Sequence, residues 1–292
     1  MLEGTIFKGI GGFYYVKANG ITYECRARGI FRKEKITPQV GDRLLIRANE
    51  QDKTGYVEKI FERTTELIRP PVTNVNQAII VFAVKNPDPN LWLLDRFLLL
   101  ASSQNLETIV CLNKVDLASE DEIKSFLKNY EKANCKVIAT STKERIGVDE
   151  LKELLKDKIT VFAGPSGVGK STLLNTIQSD LKLKTGEVSE KTSRGKHTTR
   201  HTELIELEIG GFVLDTPGFS SLEIDFLTEE SLEEHFDEIF DISHECKFNG
   251  CKHNEEPGCK VKEAVENGEI SKLRYENYIM FLKELSKKRG YK

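Results

Sequence analysis

The sequence predicts a multidomain α/β protein with three parts: an N-terminal β-barrel of the OB type, a three-layer α/β domain and a helical C-terminal domain. Residues 1–70 contain about five short runs rich in aromatic and β-branched residues, which indicate strands. Residues 71–222 alternate continuous apolar runs with helical patterns, which is typical of a buried parallel sheet. Residues 223–292 have a helical pattern and enclose clustered cysteines.

The composition is that of a soluble globular protein, with 39% hydrophobic and 30% charged residues in a chain of 292. The longest apolar runs, residues 78–84 and 97–101, are far shorter than the roughly 18–20 residues that span a bilayer. The N-terminus MLEGTIFKG lacks the features of a signal peptide. We therefore expect a cytoplasmic protein with no membrane partner. Separately, we expect it to be a monomer.

The N-terminal barrel is predicted to bind RNA. Its strands are expected at GFYYVKA, ITYECRARG, VGDRLLIRA and GYVEKIFER, and Arg69-Pro70-Pro71 is expected to form a linker. Residues 1–70 hold 13 Lys or Arg against 9 Asp or Glu, although the whole chain has a net charge of -3. Cations interleaved with aromatic residues suit RNA contact in OB-folds, while some of these aromatic side chains must fill the barrel. The candidates are Phe13, Tyr14, Tyr15, Lys17, Arg26, Arg28, Phe31, Arg32, Lys33 and Lys35.

The α/β domain is predicted element by element. The strand QAIIVFAV is followed by the helix LWLLDRFLLLASSQ and the buried strand TIVCLN. The next helix, SEDEIKSFLKNYEKA, has Ser119 as its expected N-cap. The strand KVIATS, the helix GVDELKELLKD and the strand ITVFAG continue the alternation, and TELIELEIG and GFVLDTPG are expected to be neighbouring strands.

A complete phosphate-binding loop, GPSGVGKS, lies between the strand ITVFA and the helix STLLNTI. Its glycines allow backbone N–H groups to surround phosphates. Lys170 is expected to reach the β- and γ-phosphates as a catalytic cation, and Ser171 is expected to ligate Mg²⁺. The alternative, a chance glycine-rich turn, is disfavoured by the flanking strand and helix. The expected nucleotide contacts here are Gly164, Pro165, Ser166, Gly167, Val168, Gly169, Lys170, Ser171 and Thr172.

Two further motifs predict the magnesium site and a contact with the γ-phosphate. DTPG follows the strand FVLD, so Asp215 can hold Mg²⁺ and the Gly218 N–H can follow the γ-phosphate, although DTPG alone is also compatible with a simple turn. In the segment KTSRGKHTTRHTEL, Thr198 or Thr199 can ligate Mg²⁺; we favour Thr199, but the sequence does not separate them.

His197 is a candidate catalytic residue. GTPases of the Ras type orient water with a Gln after the DxxG motif, but this chain has Phe219 there. An imidazole can hydrogen-bond water near neutral pH, so His197 can take this role. The alternative is a solvent-exposed or RNA-facing histidine on a basic loop.

The loop NKVD predicts guanine recognition. It consists of Asn113, Lys114, Val115 and Asp116, directly after the strand TIVCLN. Asp116 can accept hydrogen bonds from two guanine donors that adenine lacks, which should disfavour ATP by about 10⁴. Asn113 is expected to brace the loops, and the Lys114 stem is expected to lie along the base.

A second loop after the strand KVIAT supports this interpretation. It consists of Ser141, Thr142 and Lys143 and resembles the SAK loop of GTPases, although Thr142 replaces the usual alanine. Both base loops precede the phosphate-binding loop, which reverses the order found in most GTPases. Circular permutation can preserve a fold when the original termini lie close together. Residues 71–222 are therefore predicted to form a circularly permuted P-loop GTPase domain.

The C-terminal cysteines predict a closed structural zinc site. Cys246, Cys251, His253 and Cys259 form a C-x₄-C-x-H-x₅-C pattern, and three thiolates with one imidazole saturate tetrahedral Zn²⁺. His244 is a rival fourth ligand, and a redox-inert thiol cluster is the alternative to a metal site.

The assembled motifs resemble the bacterial small-ribosomal-subunit-dependent GTPases of the RsgA (YjeQ, YloQ) family. The resemblance covers nearly all 292 residues and is carried by the barrel followed by LIRP, and by NKVD, GPSGVGKSTLLN, GKHTTRH, LDTPGF and CxxxxCxHxxEPxC. It implies a GTPase that binds the 30S subunit and 16S rRNA and acts in late small-subunit maturation. It also implies that His197 orients water, although Lys196 and Arg200 differ from the residues common beside it.

Two other functions remain open at the level of sequence. One is a non-catalytic RNA-binding scaffold that uses the nucleotide as a structural ligand, and the other is a permuted GTPase that acts on the large subunit. Guanine specificity would also make (p)ppGpp a competitor of GTP and GDP.

Overall fold

The structure of the protein is a computed structural model that describes residues 1–33, 35–68, 70–178, 202–214 and 222–289. It confirms the predicted architecture: a closed barrel, a six-stranded α/β sheet and a helical C-terminal part. In the described part of the chain, no helix is both long and apolar enough to cross a membrane.

The N-terminal barrel closes in the strand order β1-β2-β3-β5-β4, with β1 also pairing with β4. Only β3 and β5 run parallel to each other. Along β3 the side chains alternate, so that Tyr23 and Cys25 are buried while Glu24 and Arg26 are exposed. The elements are β1 (Leu2–Ile10), β2 (Phe13–Ala18), β3 (Ile21–Ala27), α1 (Gly29–Lys33), β4 (Arg43–Asn49) and β5 (Thr54–Ile60).

The expected linker, Arg69-Pro70-Pro71, falls within a short hairpin, and Arg69 itself lies outside the described residues. β6 (Glu66–Ile68) pairs antiparallel with β7 (Pro71–Thr73), and Leu67 and Val72 are buried in the same apolar cluster as the barrel interior. Pro71 is tolerated because it occupies the first position of its strand. This burial, which the prolines in the sequence do not predict, packs the two short strands against the barrel.

The α/β sheet has the order β10-β9-β8-β11-β13-β12, and all neighbours are parallel except the antiparallel pair β12 and β13. Every residue of β8 is buried, as expected when helices cover both faces. The carboxyl ends of β9, β10, β11 and β13 therefore meet at one edge. The strands are β8 (Gln77–Ala83), β9 (Glu107–Asn113), β10 (Lys136–Thr140), β11 (Ile159–Ala163), β12 (Leu204–Glu206) and β13 (Phe212–Leu214).

Within the residues that the structure describes, four α-helices accompany this sheet: α2 (Leu91–Ser102), α3 (Glu120–Tyr130), α4 (Val148–Leu155) and α5 (Lys170–Ile177). The predicted N-cap of α3 is confirmed as a capping box. The Ser119 hydroxyl accepts from the Glu122 N–H at 3.3 Å, and the Glu122 carboxylate accepts from the Ser119 N–H at 2.8 Å.

The described C-terminal part contains the α-helices α6 (Asp237–Ser243), α7 (Lys260–Glu266) and α8 (Lys272–Arg289), with Phe236, Tyr278 and Phe281 in its core. It packs on α2 of the α/β domain, where Trp92 stacks on Phe281 with ring centroids 5.3 Å apart.

Buried charges join α8 to α2 at this contact. Arg274 donates to Asp95 at 2.6 Å and to Glu238 at 2.7 Å, and all three side chains are at most 3% exposed. Asn277 donates to the second oxygen of Asp95 at 2.6 Å. The arrangement satisfies both carboxylates without water.

Candidate nucleotide site and metal centre

The predicted phosphate-binding loop connects β11 to α5 at the carboxyl edge of the sheet. Gly164 has φ of +129°, and a Cβ there would lie 2.1 Å from the Val81 carbonyl oxygen on β8. Gly169 has φ of +100°, and a Cβ there would lie 2.4 Å from the Asn113 side-chain nitrogen. Glycine is thus required at these two positions by conformation and by close approach.

Lys170 is the first residue of α5 and folds back over the loop. Its Nζ donates to the carbonyl oxygens of Gly164 at 2.8 Å and Pro165 at 2.6 Å. Burial lowers the pKa of Lys170 from its ordinary value. Partial desolvation makes a cation interact more strongly with any anion placed beside it.

The predicted base loop is braced against the phosphate-binding loop by Asn113. Its Nδ2 donates to the Val168 carbonyl oxygen at 2.8 Å, while its Oδ1 accepts from the Thr140 hydroxyl at 3.1 Å. Lys114, in the left-handed region at φ of 61°, donates to the Gly167 carbonyl oxygen at 2.7 Å and also contacts the Asn86 carbonyl oxygen. The two loops are therefore held as one unit.

Asp116 lies in a short 3₁₀ turn after β9, and it is held by the second base loop. The hydroxyl of the fully buried Ser141 donates to Asp116 Oδ1 at 2.6 Å and accepts from the Glu144 N–H at 3.1 Å. This fixes one carboxylate oxygen of Asp116, which is half-buried. Thr142 is half-buried, and Lys143 is exposed.

Among the remaining loop candidates, Val115 and Val168 are buried and Ser171 is half-buried. Ser166 and Thr172 are exposed. The described candidates thus share one sheet edge, and their roles as nucleotide contacts stay predictions.

The remaining catalytic and magnesium candidates fall outside the described residues. These are His197, Thr198, Thr199, Asp215 and Gly218. The described chain reaches the edge of both segments, because β12 starts at Leu204 and β13 ends at Leu214.

The predicted metal ligands come together in the C-terminal part. The three thiol sulfurs and one imidazole nitrogen, from Cys246, Cys251, His253 and Cys259, all lie within 4.8 Å of one another. His253 Nδ1 is 3.6 Å from the Cys246 sulfur and 3.4 Å from the Cys259 sulfur. His244, the rival, is exposed and packs on Phe240 with ring centroids 4.8 Å apart. This donor set fits tetrahedral Zn²⁺.

Glu233 lies beside His253, and no feature of the sequence distinguishes it from the neighbouring acidic residues. Its Oε2 lies 2.9 Å from His253 Nε2, so Nδ1 is left to face the sulfurs. Two residues on, His235 Nδ1 lies 2.9 Å from the Ser102 hydroxyl at the end of α2. Burial lowers the pKa of His235, which favours its neutral form.

Known proteins match this chain from end to end. Sequence models of the RsgA N-terminal domain and the RsgA GTPase match residues 3–57 and 60–225. The small ribosomal subunit biogenesis GTPase RsgA of Alkaliphilus metalliredigens is 51% identical over 292 residues, covering 100% of both chains. The chain belongs to the RsgA GTPase family.

Two solved structures support this membership. The crystal structure of YloQ, a circularly permuted GTPase, is 43% identical with a TM-score of 0.83, covering 99% of this chain and 96% of that chain. YjeQ from Thermotoga maritima is 38% identical with a TM-score of 0.84, covering 97% and 98%. As a member of the RsgA GTPase family, the chain is a GTP hydrolase with a circularly permuted GTPase domain. The scaffold alternative is thereby set aside.

Replacing Glu233 by glutamine should weaken metal binding by about 10–100-fold, because the carboxylate no longer fixes the ring orientation and basicity of His253. Competition with a chromogenic chelator, using the purified RsgA-family protein and Zn²⁺, measures this affinity. Glu234→Gln is the matched control, because Glu234 is exposed and one residue away. Equal affinities in the two variants would show that Glu233 has no such role.

Proposed function

We propose that this protein binds the 30S ribosomal subunit through 16S rRNA and hydrolyses GTP during late small-subunit maturation in the cytoplasm. The observation that carries the proposal is the full-length similarity to relatives named for small-subunit biogenesis. The geometry of the nucleotide edge supports it, because the base loops and the phosphate-binding loop are joined by direct hydrogen bonds.

In the proposed mechanism, the Asp116 carboxylate accepts hydrogen bonds from guanine. Ser141, Thr142 and Lys143 form the second loop that contacts the base. The backbone N–H groups of residues 164–172 hold the phosphates, with Lys170 at the β- and γ-phosphates. Bound Mg²⁺ would neutralise phosphate charge, and its proposed ligands are Ser171, Thr199 and Asp215. His197 orients the attacking water, and the backbone N–H of Gly218 contacts the γ-phosphate when it is present.

Cations and aromatic rings on the barrel exterior support the rRNA contact. The Arg26 guanidinium lies 4.6 Å from the centroid of the Phe13 ring, and Arg47 lies 5.8 Å from that of Tyr56, which is 50% exposed. Such pairs can stack with unpaired bases and neutralise phosphates. Phe31 is among the predicted RNA contacts, but it is only 6% exposed and belongs to the core.

The C-terminal centre is proposed to hold one structural Zn²⁺ through its three cysteines and His253. With four protein ligands, no open position remains for catalysis. Burial raises the pKa of the Cys251 thiol to about 12, so metal uptake at neutral pH must release protons. The protein is proposed to act as a monomer, with (p)ppGpp competing for the site of GTP and GDP.

The test is GTP turnover by the purified protein alone and with 30S, 50S or 70S particles. We expect slow turnover by the free protein and strong stimulation by 30S particles only, because no Gln follows DTPG to orient water. Stimulation by 50S alone would instead support the large-subunit alternative. Fast turnover without any particle would contradict the proposed dependence on docking.

His197→Ala is expected to lower 30S-stimulated turnover by about 10²–10⁴-fold while leaving GDP affinity nearly unchanged, because the residue acts on water and not on the nucleotide. Turnover and GDP binding are measured on the same preparation. Unchanged turnover would remove His197 from the mechanism.

A further inference from the structure

The barrel makes a backbone contact with the α/β sheet beside β12. Lys8 on β1 and Glu203, directly before β12, form an isolated antiparallel β-bridge. The Lys8 ammonium lies 2.9 Å from both carboxylate oxygens of Glu203. A second ion pair joins Lys17 on β2 to Glu206 at 2.7 Å. Backbone and side chains thus align β12 along the barrel.

Apolar packing continues across the same contact. Leu204 on β12 and Leu214 on β13 are 1% and 4% exposed, and they belong to one buried cluster with Ile6 and Val16 of the barrel. The interior of the barrel and the edge of the GTPase sheet therefore form a continuous core. Because close-packed cores transmit displacement, a shift of the barrel must be felt by these two strands.

A local irregularity of β1 lies at this contact. The pairing of β1 with β2 shifts register between Ile6 and Lys8, so that Phe7 is the inserted residue. Bulges of this kind bend a strand and redirect the side chains beside them. Here the redirected position is Lys8, the residue that bridges to Glu203.

The hairpin formed by β12 and β13 connects two segments with proposed catalytic roles. Glu203 follows Thr199 by four residues, and Leu214 directly precedes Asp215. β12 and β13 pair antiparallel, and β13 pairs parallel with β11, which leads into the phosphate-binding loop. Any constraint on this hairpin therefore acts at the chain ends of both segments.

We propose that Lys8 and Glu203 are positioning residues for GTP hydrolysis, through which a barrel docked on RNA sets the placement of the β12–β13 hairpin. Lys17 and Glu206 support the same contact. The inference rests on the proposed function, because it requires the barrel to dock on the 30S subunit. Lys8 and Glu203 are half-buried, and ion pairs that keep such contact with solvent contribute little to stability, so the role of the pair is geometric.

A charge swap tests this role. Lys8→Glu and Glu203→Lys each place like charges at the bridge, and the double variant K8E/E203K restores an ion pair with the original net charge. GTP turnover is measured against 30S concentration, which separates maximal turnover from apparent affinity for the particle. Lys53→Glu, in the exposed turn between β4 and β5, is the control for altered barrel charge.

We expect each single reversal to lower maximal 30S-stimulated turnover about tenfold, as misplacement of catalytic groups does. Basal turnover should stay within about twofold, and the double variant should recover most of the stimulation. Lys53→Glu should keep maximal turnover. Full stimulation in both single variants, or a double variant as poor as the singles, would overturn the inference.

Hydrogen exchange separates failure of this inference from failure of the proposed function. Without stimulation of the wild-type protein by 30S, the proposed function fails. Exchange at the amides of residues 205–214 still reports on the contact in the free protein. It should accelerate in each single reversal and recover in the double variant. Unchanged exchange in the single variants would show that the barrel does not constrain the hairpin.

Discussion

Asp116→Asn is expected to lower GDP affinity by about 10⁴. The carboxylate of Asp116 offers two oxygens to the N1–H and 2-amino donors of guanine, whereas the asparagine amide offers only one. The asparagine amide can donate to the 2-carbonyl of xanthine while its oxygen accepts from N1–H. Affinity for XDP should therefore rise as affinity for GDP falls. Calorimetric titration with GDP, XDP and ADP measures all three.

Two further variants sharpen this test. Asp121→Asn removes an exposed carboxylate in the first turn of α3 and should leave GDP affinity unchanged. Ser141→Ala should weaken GDP binding about 3–10-fold, because the hydrogen bond that fixes Asp116 is lost while the carboxylate remains. Full GDP affinity in Asp116→Asn would mean that NKVD does not contact the base.

Arg274→Met is expected to lower the free energy of unfolding of the C-terminal part by about 3–5 kcal/mol, because it leaves Asp95 and Glu238 buried without their shared cation. The guanidinium also lies 4.4 Å from the Phe236 ring centroid, so packing is lost with the charge. Urea unfolding can be followed through Trp92, the one tryptophan of the chain, which stacks on Phe281 at this interface.

The deficit should depend on pH in a defined direction. Burial raises the pKa of Asp95 even beside Arg274, and loss of the cation removes an influence that lowers it. The folded variant then holds more protons than its unfolded chain, so its stability falls as pH rises. The difference from wild type should shrink when the pH is lowered from 7.5 toward the ordinary range of carboxyl pKa values.

Lys272→Met is the matched control for this prediction, since Lys272 lies on the same helix with its side chain 80% exposed. Its unfolding free energy should stay close to that of wild type. A similar small effect for Arg274→Met would show that the buried charges do not hold α8 to α2.

The helix α2 connects this interface to the loops at the carboxyl edge of the α/β sheet. In the loop before α2, the Asn86 carbonyl contacts Lys114 of the NKVD loop, and at the end of α2 Ser102 contacts His235, two residues from Glu233. The part that carries the Cys/His cluster is thus attached to a helix whose preceding loop contacts the NKVD loop.

Much of the fold and the site is encoded locally and could be predicted from the sequence. The phosphate-binding loop depends on glycines at fixed positions, and the start of α3 depends on Ser119 and Glu122 three residues apart. The barrel strands follow from alternation with a period of two residues. The three cysteines and His253 that could hold a metal ion lie within fourteen residues, so their spacing predicts that the four donors come together. The circularly permuted order of the motifs could also be predicted, because each motif directly follows an apolar strand.

Only the tertiary structure decided which distant residues act together. Ser141 holds Asp116, Thr140 holds Asn113, and Glu233 rather than any neighbouring acid reaches His253. The same holds for the partners of Arg274 on α2 and for the bridge from Lys8 to Glu203. These contacts join residues whose patterns are unrelated, and they exist because strand order and helix packing bring separate chain segments to one place. Local propensity carries no information about that placement, whereas burial and hydrogen-bond satisfaction in the folded chain determine it.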